Sequence, residues 1–216
     1  MVLWPVLDLR SPHHKTFTVR CYSRLLENTT IATLASVSSS SSSSSPPLQA
    51  FTTDDPGVWV HSPLANGPAK IAALGVHLRR HVSALGTAIN VDMPGPEVAD
   101  EEVNPWARIV ACGLEGKTVT SLGREARLAR REVEVTTRGG GGAKTGIREE
   151  AAVAAAWAEE LAGRIGVDGV EPMGVEDVLE LLEVVGKWEC SEGGDEGSRA
   201  LEEAYLDGIR GVMGGR

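Results

Sequence analysis

The first part of the chain shows two kinds of hydrophobic spacing. Val6, Leu7 and Leu9 surround Asp8 in a short segment that predicts a strand. The spacing then becomes helical and predicts a helix over residues 21–37. The apolar positions of this helix are Tyr22, Leu25, Leu26, Ile31 and Leu34. We therefore expect an N-terminal strand followed by a helix.

Residues 38–45 are consecutive serines, and two prolines follow them. A tract of this composition has no apolar side chains to bury against a core. We therefore expect residues 38–47 to form a flexible surface loop.

The middle of the chain has the shorter apolar runs that are typical of strands. Residues 57–61 and 69–78 are predicted strands, and the loop between them predicts a wide hairpin. The turn-forming residues of that loop are Pro63, Asn66, Gly67 and Pro68. Further strands are predicted over residues 87–91, 106–111 and 133–137.

The last third of the chain returns to helical spacing. Glu149 and Glu150 lie at the N-terminus of a predicted helix, where negative charge is favourable. Its apolar positions are Val153, Trp157, Leu161 and Ile165. Two later helices are predicted from Val178, Leu181, Leu182 and Val185, and from Leu201, Ala204, Tyr205, Ile209 and Val212. Strands followed by helices indicate an α+β fold, with one domain over residues 1–165 and a helical extension over residues 166–216.

Composition argues against two classes of partner. Lys and Arg number 21 against 30 Asp and Glu, and this acidic balance argues against a nucleic-acid surface. No apolar run approaches the roughly 20 residues that span a bilayer, so we expect a soluble protein with no membrane partner. Three cysteines, Cys21, Cys112 and Cys190, are too few for a disulfide framework and favour a reducing compartment. The first residues show no pattern of a secretory signal or of an Arg-rich transit peptide.

Cys112 and Lys70 are the candidates for chemistry. Cys112 follows the apolar residues 109–111 and precedes Gly113, whose backbone N–H is placed to stabilise an oxyanion. An isolated cysteine in such a place is usually a small core residue. Lys70 begins a run of small and apolar side chains, where a lysine can equally lie at a strand edge. A nearby ammonium lowers a thiol pKa from about 8.5 towards neutrality, but the sequence alone does not show that the two residues meet.

The residues around this pair form a wider pattern. Their order and approximate spacing between residues 57 and 122 resemble the lipoyl(octanoyl) transferases. The matching segments are Gly57-Val58-Trp59-Val60, Lys70-Ile71-Ala72-Ala73-Leu74-Gly75-Val76, Arg79-Arg80, Gly86, Ala88, Asn90-Val91, Ile109-Val110-Ala111-Cys112-Gly113-Leu114 and Val119-Thr120-Ser121-Leu122. Upstream, Pro5-Val6-Leu7-Asp8-Leu9-Arg10 and Cys21-Tyr22-Ser23-Arg24-Leu25-Leu26-Glu27 also resemble the family.

The resemblance implies a catalytic site. It implies that Cys112 is the acyl-thioester nucleophile, that Lys70 lowers its pKa, and that no metal or other cofactor is needed. It also implies that two small-residue segments line the acyl-chain site, namely Ala73, Leu74 and Gly75, and Gly86, Thr87 and Ala88. Small residues on adjacent strands would suit a narrow slot for an alkyl chain, in which each buried methylene contributes about 0.8 kcal/mol.

The resemblance also implies a fold, an activity and partners. The fold would be the mixed sheet of the biotin and lipoate ligases, packed by helices. The activity would move octanoyl from acyl carrier protein to a lysine of lipoyl domains in ketoacid dehydrogenases and in the glycine cleavage H protein. By their charge, Arg79 and Arg80 are candidates to meet the acidic carrier protein, although such a basic pair is usually only a solvated face. The location would be mitochondrial in a eukaryotic source and otherwise cytoplasmic.

The chain also departs from the family pattern. Many members have Pro and His where this chain has Ala111 and Leu85. The family's Arg-Gly-Gly tract and His-Gly-Pro-Gly-Gln turn would lie upstream of Pro5, so we expect one wall of the substrate site to be missing. Two other functions therefore stay open: an inactive fragment or binding remnant of the same fold, and a lipoate or biotin-type ligase. The cysteine and lysine pair argues against a ligase, because adenylate chemistry needs no nucleophilic cysteine.

Overall fold

The protein has an α+β fold. The structure is a computed structural model that describes residues 1–40, 46–63, 65, 67–93, 117–128 and 150–174. The helices are α1 (Val19–Ser40), α2 (residues 122–128) and α3 (Glu150–Ile165). The strands are β1 (Val2–Leu3), β2 (Ala50–Phe51), β3 (Val58–His61), β4 (Pro68–Leu74), β5 (His77–Arg79), β6 (Val82–Ala84), β7 (Thr87–Ile89) and β8 (Thr118–Val119).

The main sheet is built around β4. Within the described residues its strand order is β1-β7-β4-β3-β2, and β8 also pairs with β4. The pairs along the main order are antiparallel, whereas β8 runs parallel to β4. Strands β5 and β6 form a separate antiparallel hairpin.

Two strands share the edge of β4 that lies opposite β3. Strand β8 pairs with Ala69 and Lys70, and β7 pairs with Ala72, Ala73 and Leu74. Asn90 lies between them: its backbone N–H donates to the carbonyl of Ile71 at 3.0 Å, and its side-chain amide donates to the carbonyl of Thr120 at 3.0 Å. Asn90 thus bonds at the point where the pairing of β4 changes from β8 to β7.

Helices α1 and α3 pack together over the core. Val153, Trp157 and Leu161 are buried on α3, as their spacing predicts. The indole N–H of Trp157 donates to the hydroxyl of Thr30 at 3.0 Å, and that hydroxyl donates to the carbonyl of Leu26 at 2.8 Å. This chain of hydrogen bonds satisfies the polar atoms that the apolar packing buries.

The N-terminal strand lies earlier than its predicted position. The strand is Val2–Leu3, and Asp8 forms only an isolated bridge with Val82. Pro5 has no N–H to donate to a strand ladder, so pairing with β7 cannot continue through it. Leu7 and Leu9 instead bond with the β5–β6 hairpin, through Ser83 N–H at 2.8 Å and the carbonyl of His81 at 2.9 Å.

The serine tract begins as helix, so the prediction of a loop from residue 38 is wrong for residues 38–40. Helix α1 ends at Ser40. The hydroxyl of Ser38 donates to the carbonyl of Ala35 at 3.0 Å, and that of Ser39 donates to the carbonyl of Ser36 at 2.9 Å. Serine hydroxyls that bond the preceding turn remain compatible with a helix. Residues 41–45 lie outside the described residues.

The other predicted elements have three different outcomes. The hairpin of β3 and β4 and the helix around Trp157 are confirmed. The single strand expected over residues 69–78 is divided into β4, which ends at Leu74, and β5, which begins at His77, because β5 pairs with β6 in a separate hairpin whereas β4 pairs with β7. The strands predicted at 106–111 and 133–137, and the two last helices, lie outside the described residues.

The chain divides into two compact units, Met1–Val170 and Glu171–Arg216. The elements above belong to the first unit. In the second unit, residues 171–174 are described and have no regular secondary structure. The described helices include none with the length and apolar character needed to cross a bilayer. The boundary expected at residue 165 stays a prediction.

The junction of α1 and α3 gives a test of the core. Trp157→Phe removes the donor to Thr30 and part of a buried ring, so we expect it to lower the free energy of unfolding by about 2 kcal/mol. Trp4→Phe is the matched control, because Trp4 is 62% exposed whereas Trp157 is 3% exposed. Urea denaturation measures both. Equal midpoints for the two variants would contradict the packing described here.

Candidate functional site

Lys70 lies at the centre of the sheet. On β4 it is opposite Trp59 of β3 and Val119 of β8, and its carbonyl accepts the N–H of Thr120 at 2.9 Å. Its backbone is therefore held from both edges, while its side chain is half-buried. A strand paired on both sides is a rigid support for a functional side chain.

The ammonium of Lys70 lies beside a buried indole. Its Nζ is 5.1 Å from the ring centroid of Trp59, a distance at which a cation is attracted to the aromatic face. Trp59 is 1% exposed, and its indole N–H donates to the carbonyl of Asp55 at 3.2 Å. The ring is thus fixed at its polar end. Sequence reasoning assigned Trp59 no role, although an aromatic residue opposite a lysine in a predicted hairpin is a signal for such a contact.

A second ammonium approaches the same ring. Nζ of Lys117 is 5.8 Å from the Trp59 centroid and forms an ion pair with the carboxylate of Asp55. A cavity of about 280 Å³ opens beside this pair. It is lined by Thr53, Asp54, Asp55, Trp59, Gly67, Pro68, Lys117 and Thr118. Charged groups of both signs and the indole of Trp59 therefore line a space that the sequence did not reveal.

The residues expected to line an acyl-chain site lie on adjacent strands. In the pairing of β4 with β7, Ala73 is opposite Ala88 and Leu74 is opposite Thr87. The N–H of Gly75 donates to the carbonyl of Gly86 at 2.9 Å. The structure thus brings both predicted segments together, as an antiparallel pair.

These residues are divided between the two faces of the sheet. Side chains alternate along a strand, so Ala73 and Ala88 share one face while Leu74 and Thr87 share the other. The register of β3 with β4 shifts by one residue between Trp59, opposite Lys70, and Val58, opposite Ala72, so Lys70 and Ala72 lie on opposite faces. Lys70 therefore lies on the face of Ala73. Ala73 is exposed and Thr87 is fully buried. Only the pair of Ala73 and Ala88 therefore shares a face with Lys70, and the role of all six residues in binding stays a prediction.

Two of these residues are glycines with different surroundings. A Cβ on Gly86 would lie 2.2 Å from the carbonyl oxygen of Leu3 and 2.6 Å from Cδ of Pro5. A Cβ on Gly75 would meet only the side chain of Leu85, at 3.5 Å. Gly86 thus makes room for the N-terminal segment, whereas Gly75 leaves space on its own surface.

Arg79 and Arg80 are exposed on the β5–β6 hairpin. The two residues between the strands, Arg80 and His81, have φ angles of 49° and 73°. Positive φ at both central residues is the geometry of the type I′ turn, which matches the twist of paired strands. The turn places these basic side chains on an exposed edge of the domain.

Cys112 lies outside the described residues, as do Ala111, Gly113 and Cys190. The structure therefore gives no distance between Cys112 and Lys70. Cys21 is exposed near the start of α1, and a hydrogen bond from Thr18 lowers the pKa of its thiol. Cys21 is thus an accessible thiol that competes with Cys112 for any alkylating reagent. Within the described ranges, no three His, Cys, Asp or Glu residues are grouped as metal ligands.

Comparison with curated proteins finds a consistent set of relatives. A mitochondrial octanoyltransferase of Saccharomyces cerevisiae is 28% identical over 179 residues, which are 82% of this chain and 45% of the relative. An octanoyltransferase of Paracoccus denitrificans is 36% identical over 129 residues, 56% of this chain and 50% of the relative. A mitochondrial octanoyl-[acyl-carrier-protein]:protein N-octanoyltransferase of Danio rerio is 31% identical over 125 residues, 58% of this chain and 44% of the relative. The chain spans about half the length of the curated relatives it matches. No family model matches the chain.

The two glycines at the β4–β7 junction give a test of how β1 packs on β7. Gly86→Ala places a methyl group against the backbone of Leu3, so we expect a loss of about 3 kcal/mol in the free energy of unfolding. Gly75→Ala meets only an ordinary contact and should change stability by less than about 1 kcal/mol. Chemical denaturation of both variants checks this. A Gly86→Ala protein as stable as the Gly75→Ala protein would show that β1 does not pack on β7 as described.

Proposed function

We propose that this chain, which belongs to the octanoyltransferase family, carries the octanoyl-transfer activity of lipoate biosynthesis. It takes octanoyl from acyl carrier protein and delivers it to a lysine of a lipoyl domain. The observation that carries the proposal is the similarity to octanoyltransferases over 56–82% of the chain. The placement of Lys70 on a doubly paired strand, with its ammonium beside a buried indole, supports it.

The proposed reaction has two acyl transfers. The thiolate of Cys112 attacks the thioester carbonyl of the octanoyl carrier, a new C–S bond forms as the C–S bond to the carrier breaks, and the carrier leaves as a thiolate that takes up a proton. The amine of the acceptor lysine then attacks the enzyme thioester, loses a proton as the amide forms, and releases the Cys112 thiolate. Lys70 is assigned the role of lowering the pKa of the Cys112 thiol, since a nearby ammonium favours the thiolate.

The acyl chain is proposed to lie along the junction of β4 and β7. Ala73 and Ala88 lie on the face of Lys70, so they would contact the chain closest to the reacting thioester. Leu74, Gly75, Gly86 and Thr87 complete the proposed lining. Each methylene that this surface removes from water would contribute about 0.8 kcal/mol to binding.

The proposed partners follow from the charge of the hairpin and from the names of the relatives. Arg79 and Arg80 form an exposed basic site for an acidic carrier protein. The acceptors would be the lipoyl domains of ketoacid dehydrogenases and the glycine cleavage H protein. The yeast and zebrafish relatives are named as mitochondrial, which favours a mitochondrial location for a eukaryotic source and a cytoplasmic one otherwise.

Covalent capture of the acyl group tests the nucleophile. The experiment uses a Cys21→Ser, Cys190→Ser chain, in which Cys112 is the remaining thiol. After incubation with octanoyl carrier protein, we expect intact-mass spectrometry to detect an octanoyl adduct, and Cys112→Ser to abolish it. A hydroxyl has too high a pKa for activation by an ammonium alone.

The same experiment distinguishes the alternatives. An adduct that survives in the Cys112→Ser variant would reject Cys112 as the nucleophile. No adduct on the parent chain would favour the inactive remnant. Activation of free octanoate in the presence of ATP, without attachment to Cys112, would favour a ligase.

The pH dependence of alkylation tests Lys70. In the chain that retains only Cys112, we expect Lys70→Met to raise the thiol pKa and to move the alkylation profile to higher pH, because an ammonium stabilises the thiolate. Lys117→Met is the matched control: it removes the other ammonium near Trp59, whose charge the carboxylate of Asp55 already offsets. Equal shifts from the two variants, or none from Lys70→Met, would reject the specific pairing of Lys70 with Cys112.

A further inference from the structure

Gly57 lies directly against the side chain of Lys70. A Cβ on Gly57 would be 2.5 Å from Cε and 3.2 Å from Nζ of Lys70, and 2.7 Å from the carbonyl oxygen of Ala72. Gly57 also has a φ of 127°, which side chains rarely allow. Any larger residue would therefore displace the end of the lysine as well as strain the backbone.

The peptide of Gly57 is held by a buried carboxylate. Its N–H donates to Oε1 of Glu27 at 3.3 Å, a contact between residues that are 30 positions apart. Glu27 belongs to α1 and is only 9% exposed. A carboxylate so poorly exposed is costly unless it is hydrogen-bonded, so this contact gives the buried charge a partner.

The second oxygen of the Glu27 carboxylate contacts an exposed arginine. Its Oε2 lies 3.7 Å from Nη1 of Arg24, which also donates to the hydroxyl of Thr52 at 3.0 Å. Arg24 is largely exposed, and such pairs contribute little stability by themselves. The contact of Arg24 with Oε2 is thus a second, weaker contact of the carboxylate whose Oε1 accepts the Gly57 N–H.

We propose that Glu27 and Gly57 are positioning residues for Lys70. Glu27 holds the Gly57 peptide through a hydrogen bond. Because Gly57 has no side chain, the aliphatic part of Lys70 can pack directly on this peptide. The ammonium is thereby held in one place beside the Trp59 ring. The catalytic consequence rests on the proposed function, because it requires that Lys70 lowers the pKa of the Cys112 thiol.

A direct measurement of the Lys70 side chain tests the positioning. In protein labelled with 13C at lysine Cε, the Lys70 resonance is identified by its loss in Lys70→Met. We expect Gly57→Ala and Glu27→Leu to move this resonance. Glu27→Gln retains a side-chain oxygen that accepts the Gly57 N–H, so it should leave the resonance close to that of the parent.

Gly67→Ala is the matched control for backbone strain. Gly67 has a φ of 120°, similar to that of Gly57, but a Cβ there would meet no atom within 4 Å. It should therefore reproduce the strain without moving the Lys70 resonance. If Gly57→Ala does not fold, the comparison of Glu27→Leu with Glu27→Gln decides the outcome. A Lys70 resonance unchanged in the folded variants overturns the proposal.

The pH profile of Cys112 alkylation tests the consequence. We expect Gly57→Ala and Glu27→Leu to move the profile towards that of Lys70→Met. Glu27→Gln should instead restore the parent profile. In a Lys70→Met background, Gly57→Ala should add no further shift. If Lys70→Met shifts the profile and the other variants do not, the positioning proposal fails while the proposed function stands. If the Lys70 resonance moves but Lys70→Met leaves the profile unchanged, the positioning stands and the pairing of Lys70 with Cys112 fails.

Discussion

The pairing of β4 on both of its edges is the constraint on which the described site depends. Strand β3 holds one edge, and β8 and β7 hold successive parts of the other. A slip of one residue would turn Lys70 to the opposite face of the sheet, because side chains alternate along a strand. The hydrogen bonds of Asn90 fix the place at which β8 gives way to β7, and so oppose such a slip. The position of the lysine is therefore a property of the whole sheet.

A lysine in the middle of a sheet needs surroundings that accept its charge and its stem. The Trp59 ring attracts the charge, with its centroid 5.1 Å from Nζ, and the aliphatic part of the side chain packs on the backbone of Gly57. Glu27 connects this arrangement to α1. Helix α1 is in turn held against α3 by the hydrogen bond between Trp157 and Thr30. The apolar packing of the two helices and the placement of the lysine are thus mechanically connected, because a shift of α1 would carry Glu27 and the Gly57 peptide with it.

The sequence predicted the elements better than the site, for a physical reason. Helix α3 and the β3–β4 hairpin follow from apolar spacing and turn residues, which are local signals. The start of the N-terminal strand and the pairing of β8 depend on partners that are distant in the sequence, and periodicity does not report these. The two segments expected at the acyl-chain site do pair, but the alternation of the strands divides them between faces. Glu27 had no local signature, because its partner is a backbone N–H 30 positions away.

Two glycines near the central strand allow other groups to lie directly against their backbone. At Gly86 the missing side chain admits the carbonyl of Leu3, which seats the N-terminal segment against β7. At Gly57 it admits the side chain of Lys70. A hydrophobic pattern describes which side chains leave water, so it cannot report where a side chain must be absent. Around Lys70, the structure depends on the missing side chain of Gly57 and on hydrogen bonds of the main chain. That is why a pattern of apolar residues locates the strands but leaves the arrangement around the lysine to be found in the structure.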